Sequence, residues 1–150
     1  MFLPQRPYCA LGSLRRQLVY PRTVEDAGLG DAALIAALGA VQLDRLAATD
    51  LDQVRDWGDE LSLGEQQRLA FARVLLAEPT LCILDEATSA LDLANEGVMY
   101  DALAALPGIT YVSVGHRPSL KRYHARRLRL YGAGRDPPFA VEDIAAEAED

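Results

Sequence analysis

Two short apolar runs on either side of a helical stretch restrict this 150-residue chain to an α/β fold with a parallel sheet. The first run, "TLCILD" at 80–85, and the second, "ITYVSVG" at 109–115, have the length and composition of strands that are buried on both faces. Residues 93–106 between them have the pattern of a helix that ends before a Pro-Gly pair. Because a strand, a helix and a strand in this order form a βαβ unit, we expect the two strands to be parallel.

The residues before the first strand predict a long helix with a defined start. Ser62 and Glu65 have the spacing of a capping box, and Pro79 marks the helix end. Apolar side chains recur on one side of this helix, at Leu69, Ala72, Leu75 and Leu76. We expect the other side to be the polar face, since it carries Gln66, Gln67 and Arg73.

The first third of the chain predicts mainly short helices. Residues 1–5 have the pattern of a strand end that runs into a loop, and Ser13 can cap a short helix that ends before a proline. Further helices are expected at 31–43 and at 46–54. Residues 13–57 are therefore interpreted as a small helical insert.

The last part of the chain separates into a basic stretch and an acidic one. Residues 115–135 contain seven Arg or Lys and no acid, whereas 141–150 contain five acids and no base. We expect 118–135 to be a basic edge segment, in which "RRLRLY" forms an alternating strand with Leu128 and Leu130 inward. The acidic residues, within 136–150, are expected to form a polar tail or a frayed helix.

Charge and composition exclude several classes of protein. The net charge of -7 and the pI near 4.8 argue against bulk attraction to nucleic acid or to anionic lipid. No stretch approaches the roughly 18 apolar residues of a membrane span, so we expect no direct membrane insertion. Cys9 and Cys82 provide neither a disulfide framework nor a metal-binding spacing, which indicates a reducing cytosol.

Chemically active side chains follow the predicted strands at the edge where α/β proteins bind ligands. At the end of the first strand, Asp85 can hold Mg²⁺ while Glu86 orients or deprotonates water; alternatively, both are charges at a helix N-terminus. His116 ends the second strand, where it can contact a phosphate, hold Glu86 or be structural. Gln5 follows an earlier strand as a metal ligand or an ordinary loop residue.

The start of the long helix is a candidate anion site. The Ser62 hydroxyl and the Gly64 amide lie at the positive end of the helix dipole, where exposed N–H groups bind anions. Ordinary helix capping is the alternative interpretation of the same residues.

The order of these motifs resembles that of the ABC-type ATPases. The run "LSLGEQQRLAFARVLLAEPTLCILDEATSALD" at 61–92 is similar to their signature, Walker B and D-loop block. "SVGHR" resembles their histidine switch, and "FLPQRPY" resembles their Q-loop. The details are most similar to the exporter-like branch that contains the peroxisomal fatty-acyl transporters and bacterial relatives of the peptide and cobalamin uptake type.

This resemblance implies a role for each matching residue. Asp85 would bind Mg²⁺, Glu86 would act as the general base, and His116 would be the switch. Gln5 would sense the Mg²⁺ and the water and link the domain to a membrane domain. The signature that grips a γ-phosphate would consist of Leu61, Ser62, Gly64, Glu65 and Gln66. Communication across a dimer would run through the segment from Ser89 to Asp92.

The phosphate-binding P-loop of this family has no counterpart in the sequence. The motif G-x-x-x-x-G-K-[ST] needs a lysine, and the only lysine, Lys121, follows the second strand. We therefore expect a partial P-loop NTPase fold, with the C-terminal part of an ABC ATPase domain over 1–135. The expected fold includes a helical signature subdomain; within 1–135, the helical insert spans 13–57 and the block from signature to switch spans 58–117.

The resemblance implies ATP and Mg²⁺ as cofactors, and an ABC transmembrane domain and a second nucleotide-binding domain as partners. Since a Walker A segment must come from elsewhere in cis or in trans, we expect the chain alone to be inactive. Its place would be the cytoplasmic face of the cell membrane, as part of a transporter.

Two other functions stay open at this point. The chain could be a non-catalytic interaction protein that docks its signature helix on another cassette. It could also belong to a DNA-repair cassette ATPase, which the basic stretch at 115–135 favours and the lack of a coiled-coil or zinc insert opposes.

Overall fold

The computed structural model describes residues 1–131, 134 and 136–144, which belong to two compact units. The first unit comprises residues 1–114 and the second begins at residue 115. Within the described ranges, no helix has both the length and the apolar composition that crossing a membrane requires. The first unit contains, in chain order, β1 (Phe2–Leu3), β2 (Leu11–Ser13), α1 (Leu14–Val19), α2 (Val24–Ala27), α3 (Asp31–Ala40), α4 (Asp44–Ala47), β3 (Val54–Asp56), α5 (Trp57–Glu60), α6 (Leu63–Ala77), β4 (Leu81–Asp85), α7 (Leu93–Ala104) and β5 (Thr110–Val114).

The main sheet of the first unit is parallel and has the order β1-β4-β5. The pairing of β4 with β5 runs from Leu81 opposite Thr110 to Asp85 opposite Val114. Helix α7 connects these two strands, so the βαβ unit and the parallel sheet that the two apolar runs predict are confirmed.

One face of this sheet is covered and the other is open within the first unit. On the covered face, the Tyr100 hydroxyl of α7 lies 2.8 Å from the Ser113 Oγ of β5. The side chains of Leu3, Cys82 and Leu84 are buried on the same face. The opposite face exposes between 38 and 57 % of five apolar residues: Phe2, Leu81, Ile83, Val112 and Val114. The expectation that both strands are buried on both faces is therefore wrong. Elements of the first unit pack on one face only, and these five side chains lie on the other.

The segment 13–57 contains four short helices and is closed by a two-stranded ribbon. The helices α1 to α4 agree with the expected helical insert, but the antiparallel pair of β2 and β3 was not predicted. The predicted helix at 46–54 is wrong in its bounds, since Val54 starts β3 and the helix ends at Ala47. Trp57, which follows β3, stabilises the ribbon. It is 1 % exposed, and its indole N–H donates to the carbonyl of Gly12 in β2 at 2.8 Å.

Helix α6 begins with the predicted capping box. The Ser62 hydroxyl accepts from the Glu65 amide at 3.3 Å, and the Glu65 carboxylate accepts from the Ser62 amide at 3.0 Å. The predicted polar face is wrong, however, because Gln67 and Arg73 are 0 % and 5 % exposed. Helix α6 contacts α1, α3 and α7, which leaves little of its surface in water.

The second unit contains a 3-10 helix and a two-stranded hairpin. The 3-10 helix spans Pro118–Tyr123, and β6 (Arg126–Leu130) pairs antiparallel with β7 (Phe139–Asp143). The predicted strand at "RRLRLY" is confirmed, but Leu128 and Leu130 are exposed rather than inward. Residues 141–143 belong to β7, so a polar tail or frayed helix is wrong there, and 145–150 lie outside the described residues.

Candidate functional site

The ends of β1 and β4 bring two predicted site segments to the same edge of the parallel sheet. Asp85 is the last residue of β4, and Glu86 follows it directly. Gln5 follows β1, the neighbouring strand, and is exposed. His116 belongs to the second unit, two residues after the end of β5. Its participation in a site with Glu86 stays a prediction.

The backbone of Glu86 has a conformation that non-glycine residues rarely adopt. Its φ angle is 50°, in the left-handed region. Two backbone hydrogen bonds hold it: its N–H donates to the Val114 carbonyl at 2.9 Å, and its carbonyl accepts from the Ser89 amide at 3.0 Å. Such strain persists only where the surroundings determine the backbone, and it is concentrated at functional sites.

The turn that follows Glu86 is fixed at both ends by acidic side chains. The buried Thr88 hydroxyl donates to the Glu96 carboxylate at 3.1 Å. Asp92 caps α7 by accepting from the Asn95 amide at 2.8 Å, and these hydrogen bonds lower the pKa of Asp92. Asp92 therefore has a structural role in the chain besides the dimer contact that the resemblance implies.

A small cavity lies between the start of α6 and this turn. Its volume is about 260 Å³, and its walls include four of the predicted site residues, Ser62, Gly64, Glu65 and Asp92. Gly64 allows the close approach of the two walls, since a Cβ there would stand 3.1 Å from the Ala90 carbonyl oxygen. The anion site predicted at the start of the helix therefore coincides with an open space that is lined by a hydroxyl and by helix N-terminal groups.

Two predicted signature residues do not line this cavity. Leu61 is 4 % exposed and belongs to the core. The Gln66 amide donates to the carbonyls of Gly58 and Leu61, both at 2.9 Å, and so ties α6 to the preceding helix α5. Both residues support the start of α6 and do not present a polar group to the cavity.

Three groups donate hydrogen bonds to the Glu65 carboxylate: the amide and the hydroxyl of Ser62 and the guanidinium of Arg45. In addition to the capping box, its carboxylate accepts from the Arg45 guanidinium at 2.7 Å. Partial burial alone would raise the pKa of Glu65, but the hydrogen bonds from Arg45 and Ser62 outweigh burial and lower it. Glu65 is therefore an anion that stabilises α6 and links it to α4.

Sequence reasoning missed Gln67, the residue that connects the segments of the site. Its Nε2 donates to the Gln5 carbonyl at 2.8 Å and to the Ser89 hydroxyl at 3.1 Å, and it lies 3.4 Å from the Glu86 carbonyl. Its Oε1 accepts from the Ala90 amide at 3.0 Å. The sequence feature that could have indicated this role is the position of Gln67 near the start of α6, five residues after the capping residue Ser62 and before the apolar strand β4.

Arg73, six residues further along α6, is a second buried residue that was expected on the polar face of the helix. Its guanidinium donates to the Gln17 carbonyl at 2.7 Å and to the Tyr8 carbonyl at 2.9 Å. Burial lowers the pKa of Arg73. This side chain joins α6 to α1 and to the loop that follows Gln5.

The donor atoms at the sheet edge suit a magnesium ion that a phosphate also binds. The described residues include no group of three or more His, Cys, Asp or Glu that could hold a metal by itself. Mg²⁺ is commonly held by one or two carboxylates together with phosphate oxygens and water. Asp85 and the Gln5 amide provide oxygen atoms of the required kind, and neither side chain is buried.

Comparison with known proteins gives a consistent result. The ABC transporter family model matches residues 14–89. An uncharacterized ABC transporter ATP-binding protein of Synechocystis is 50 % identical over 137 residues, which cover 90 % of this chain and 20 % of that protein. The chloroplastic ABC transporter D family member 2 of Arabidopsis thaliana is 42 % identical over 178 residues, covering 98 % of this chain and 25 % of the relative.

A further relative and a solved structure agree with these matches. The lysosomal cobalamin transporter ABCD4 of mouse is 44 % identical over 141 residues, covering 89 % of this chain and 23 % of the relative. A bacterial Atm1-family ABC exporter with ATP bound superimposes with a TM-score of 0.66 at 30 % identity, over 80 % of this chain and 22 % of that structure. The chain thus spans about a fifth to a quarter of the length of these relatives.

Proposed function

Since the chain belongs to the ABC transporter family, as part of an ATP-binding domain close to the D family, we propose that it provides one side of an ATP-hydrolysing site. This side consists of the signature, Walker B and switch residues. The P-loop is provided by another segment, either of the same polypeptide or of a partner.

The observation that carries this proposal is the cavity between the start of α6 and the turn after Glu86. It gathers Ser62, Gly64 and Asp92 around a space of about 260 Å³ that is open to solvent. The helix N-terminus favours an anion there and Arg68 lines the same cavity, but the P-loop lysine and the amides that wrap several phosphates are missing. The cavity is therefore suited to contact a terminal phosphate that another surface already binds.

The open face of the main sheet supports the same conclusion. The βαβ sheets of this fold class are covered on both faces, whereas here one apolar face is exposed. An additional α/β segment that carries the P-loop would cover apolar surface and complete the nucleotide site at once.

In the completed site, each residue acts through a defined atom. The Glu86 carboxylate accepts a hydrogen bond from the attacking water and orients it toward the γ-phosphate. The Gly64 amide donates to the γ-phosphate of the nucleotide that the opposite subunit binds, and the Ser62 hydroxyl, which donates to the Glu65 carboxylate at 2.9 Å here, turns to donate to the same phosphate. Asp85 and the Gln5 amide would hold Mg²⁺, which would supply positive charge to the phosphates. His116 contacts the terminal phosphate as the switch.

The proposed partners follow from the family. A transmembrane domain, contacted near Gln5, couples hydrolysis to transport, and a second nucleotide-binding domain supplies the opposite half of each site. The assembly is placed at the cytoplasmic face of a membrane, with this chain as a peripheral component.

The test is a chimera in which the preceding part of the ATP-binding domain of the Synechocystis relative is fused before residue 1. The chimera should hydrolyse ATP, and Glu86→Gln should abolish turnover while ATP-dependent association persists. Glu78→Gln is the matched control, since Glu78 is exposed at the end of α6 and outside the site. Unchanged turnover in Glu86→Gln would reject Glu86 as the base.

The need for a second segment is tested on the chain by itself. Calorimetric titration with Mg-ATP should show no binding in the micromolar range, because the main phosphate-binding groups are missing from this sequence. Hydrolysis by the purified chain, lost in Glu86→Gln, would refute the requirement for a P-loop.

A further inference from the structure

The Gln67 amide connects two loops of the first unit, the loop after β1 and the loop between β4 and α7. Its NH₂ group faces oxygen atoms of Gln5, Glu86 and Ser89, at 2.8, 3.4 and 3.1 Å, and its carbonyl accepts from the Ala90 amide at 3.0 Å. The side chain is 0 % exposed, so these partners satisfy it without bulk water. One residue therefore contacts the loop after β1, the residue after β4 and the turn before α7.

Gln17, the other buried glutamine among the described residues, satisfies its amide close by along the chain, with the N–H and the carbonyl of Ala10 at 3.2 and 2.9 Å. Gln67 differs, since the four atoms that its amide contacts lie in loops, 19 to 62 residues away along the chain. Its hydrogen bonds therefore fix loops relative to one another.

The most consequential of these partners is the backbone of Glu86. With a φ angle of 50°, this residue needs outside contacts to keep its conformation. Gln67 approaches the Glu86 carbonyl and also holds Ser89 and Ala90, which continue the same turn. A shift of the Gln5 loop would displace the shared NH₂ group of Gln67. This displacement would change the backbone conformation of Glu86, which sets the direction of its carboxylate.

We propose that Gln67 is a positioning residue that couples the loop at Gln5 to the backbone of Glu86 and to the turn at Ser89 and Ala90. In the proposed catalytic cycle, it transmits the position of the Gln5 loop to the direction of the Glu86 carboxylate. The structural coupling is independent of the proposed function, and only its effect on hydrolysis rests on that function.

The first experiment measures amide hydrogen exchange by NMR on the full chain. Gln67→Met keeps the length of the side chain and removes both the donors and the acceptor. It should speed exchange at the Ala90 amide at least about tenfold relative to Leu69 in the middle of α6, since a lost hydrogen bond of about 1.4 kcal/mol corresponds to that factor. Gln17→Met, the matched control, should leave this ratio unchanged.

A second variant serves if Gln67→Met does not fold. Ser89→Ala removes one acceptor of the Gln67 amide and leaves the core intact, and it should raise the same exchange ratio by about threefold. An unchanged ratio at Ala90 in the folded variant overturns the proposal. So does an equal rise in Gln17→Met, which would show general loosening of the fold.

The second experiment uses the chimera that contains the P-loop. Gln67→Met should lower kcat by about 10- to 100-fold and change the KM for ATP by less than about twofold, since misplacing a catalytic group acts on the chemical step. In the Glu86→Gln background, the number of ATP molecules bound should stay the same with and without Gln67→Met. A loss of binding sites in parallel with kcat would show misfolding and overturn the positioning role. If the unmutated chimera is inactive, the proposed function fails, and the exchange ratio alone decides the coupling.

Discussion

Leu81 and Leu84 lie on opposite faces of β4, and the same substitution at each should have very different costs. Leu84 is 1 % exposed, whereas Leu81 is 46 % exposed on the open face. Leu→Ala removes three carbon groups, which at about 0.8 kcal/mol each amounts to about 2.4 kcal/mol for a fully buried side chain. At Leu84 a cavity adds to this, so the free energy of unfolding should fall by about 3–5 kcal/mol. At Leu81 slightly more than half of the surface is buried and no closed cavity forms, which gives about 1.3 kcal/mol.

Urea denaturation followed by far-ultraviolet circular dichroism measures this difference. The gap of about 2–4 kcal/mol between the variants corresponds to about 1–2 M in the urea midpoint for a slope of about 2 kcal/mol per M. The protein should be at low micromolar concentration, with midpoints checked at two concentrations, because an open apolar face promotes association. Equal costs at Leu81 and Leu84, with midpoints independent of concentration, would refute the one-sided sheet.

Two further substitutions test the contacts of the first unit. Trp57→Phe should lower the free energy of unfolding by about 1–3 kcal/mol, measured by urea denaturation, because the buried Gly12 carbonyl loses its donor; a cost near zero would contradict this role. The lowered pKa of Glu65 means that its bonds to Arg45 and Ser62 contribute stability above the unfolded pKa of about 4.5, and that this contribution is lost as the pH falls through the folded pKa. Thermal melts of Glu65→Gln should therefore be less sensitive to acid than those of the unmodified chain, and parallel acid dependence would exclude this carboxylate as a cause.

The parts of the fold that depend on local pattern could be predicted from the sequence. The capping residues Ser62 and Glu65 gave the start of α6, because a capping box is a contact between residues three apart. The parallel pair of β4 and β5 followed from two apolar runs and the helix between them. The family was identified in the same way, from the order of short motifs.

The parts that depend on distant contacts were missed or wrong. The ribbon of β2 and β3 joins segments about 43 residues apart, counting from Leu11 to Val54, and its three-residue strands carry no alternation long enough to detect. Gln67 and Arg73 have side chains that usually face water, and only their hydrogen bonds to segments far along the chain explain their burial. The sequence also could not show that the sheet is buried on one face only, because an apolar strand does not reveal which elements pack on each of its faces.

The open face of the main sheet also has a consequence for the surroundings of its aliphatic side chains. In a sheet that works with one side in water, residues on that side are free to become polar, which gives alternation along each strand. Ile83, Val112 and Val114 are still aliphatic, although no side chain of the first unit buries them. We expect this surface to become dry in the assembled molecule, because the additional segment proposed above would cover it.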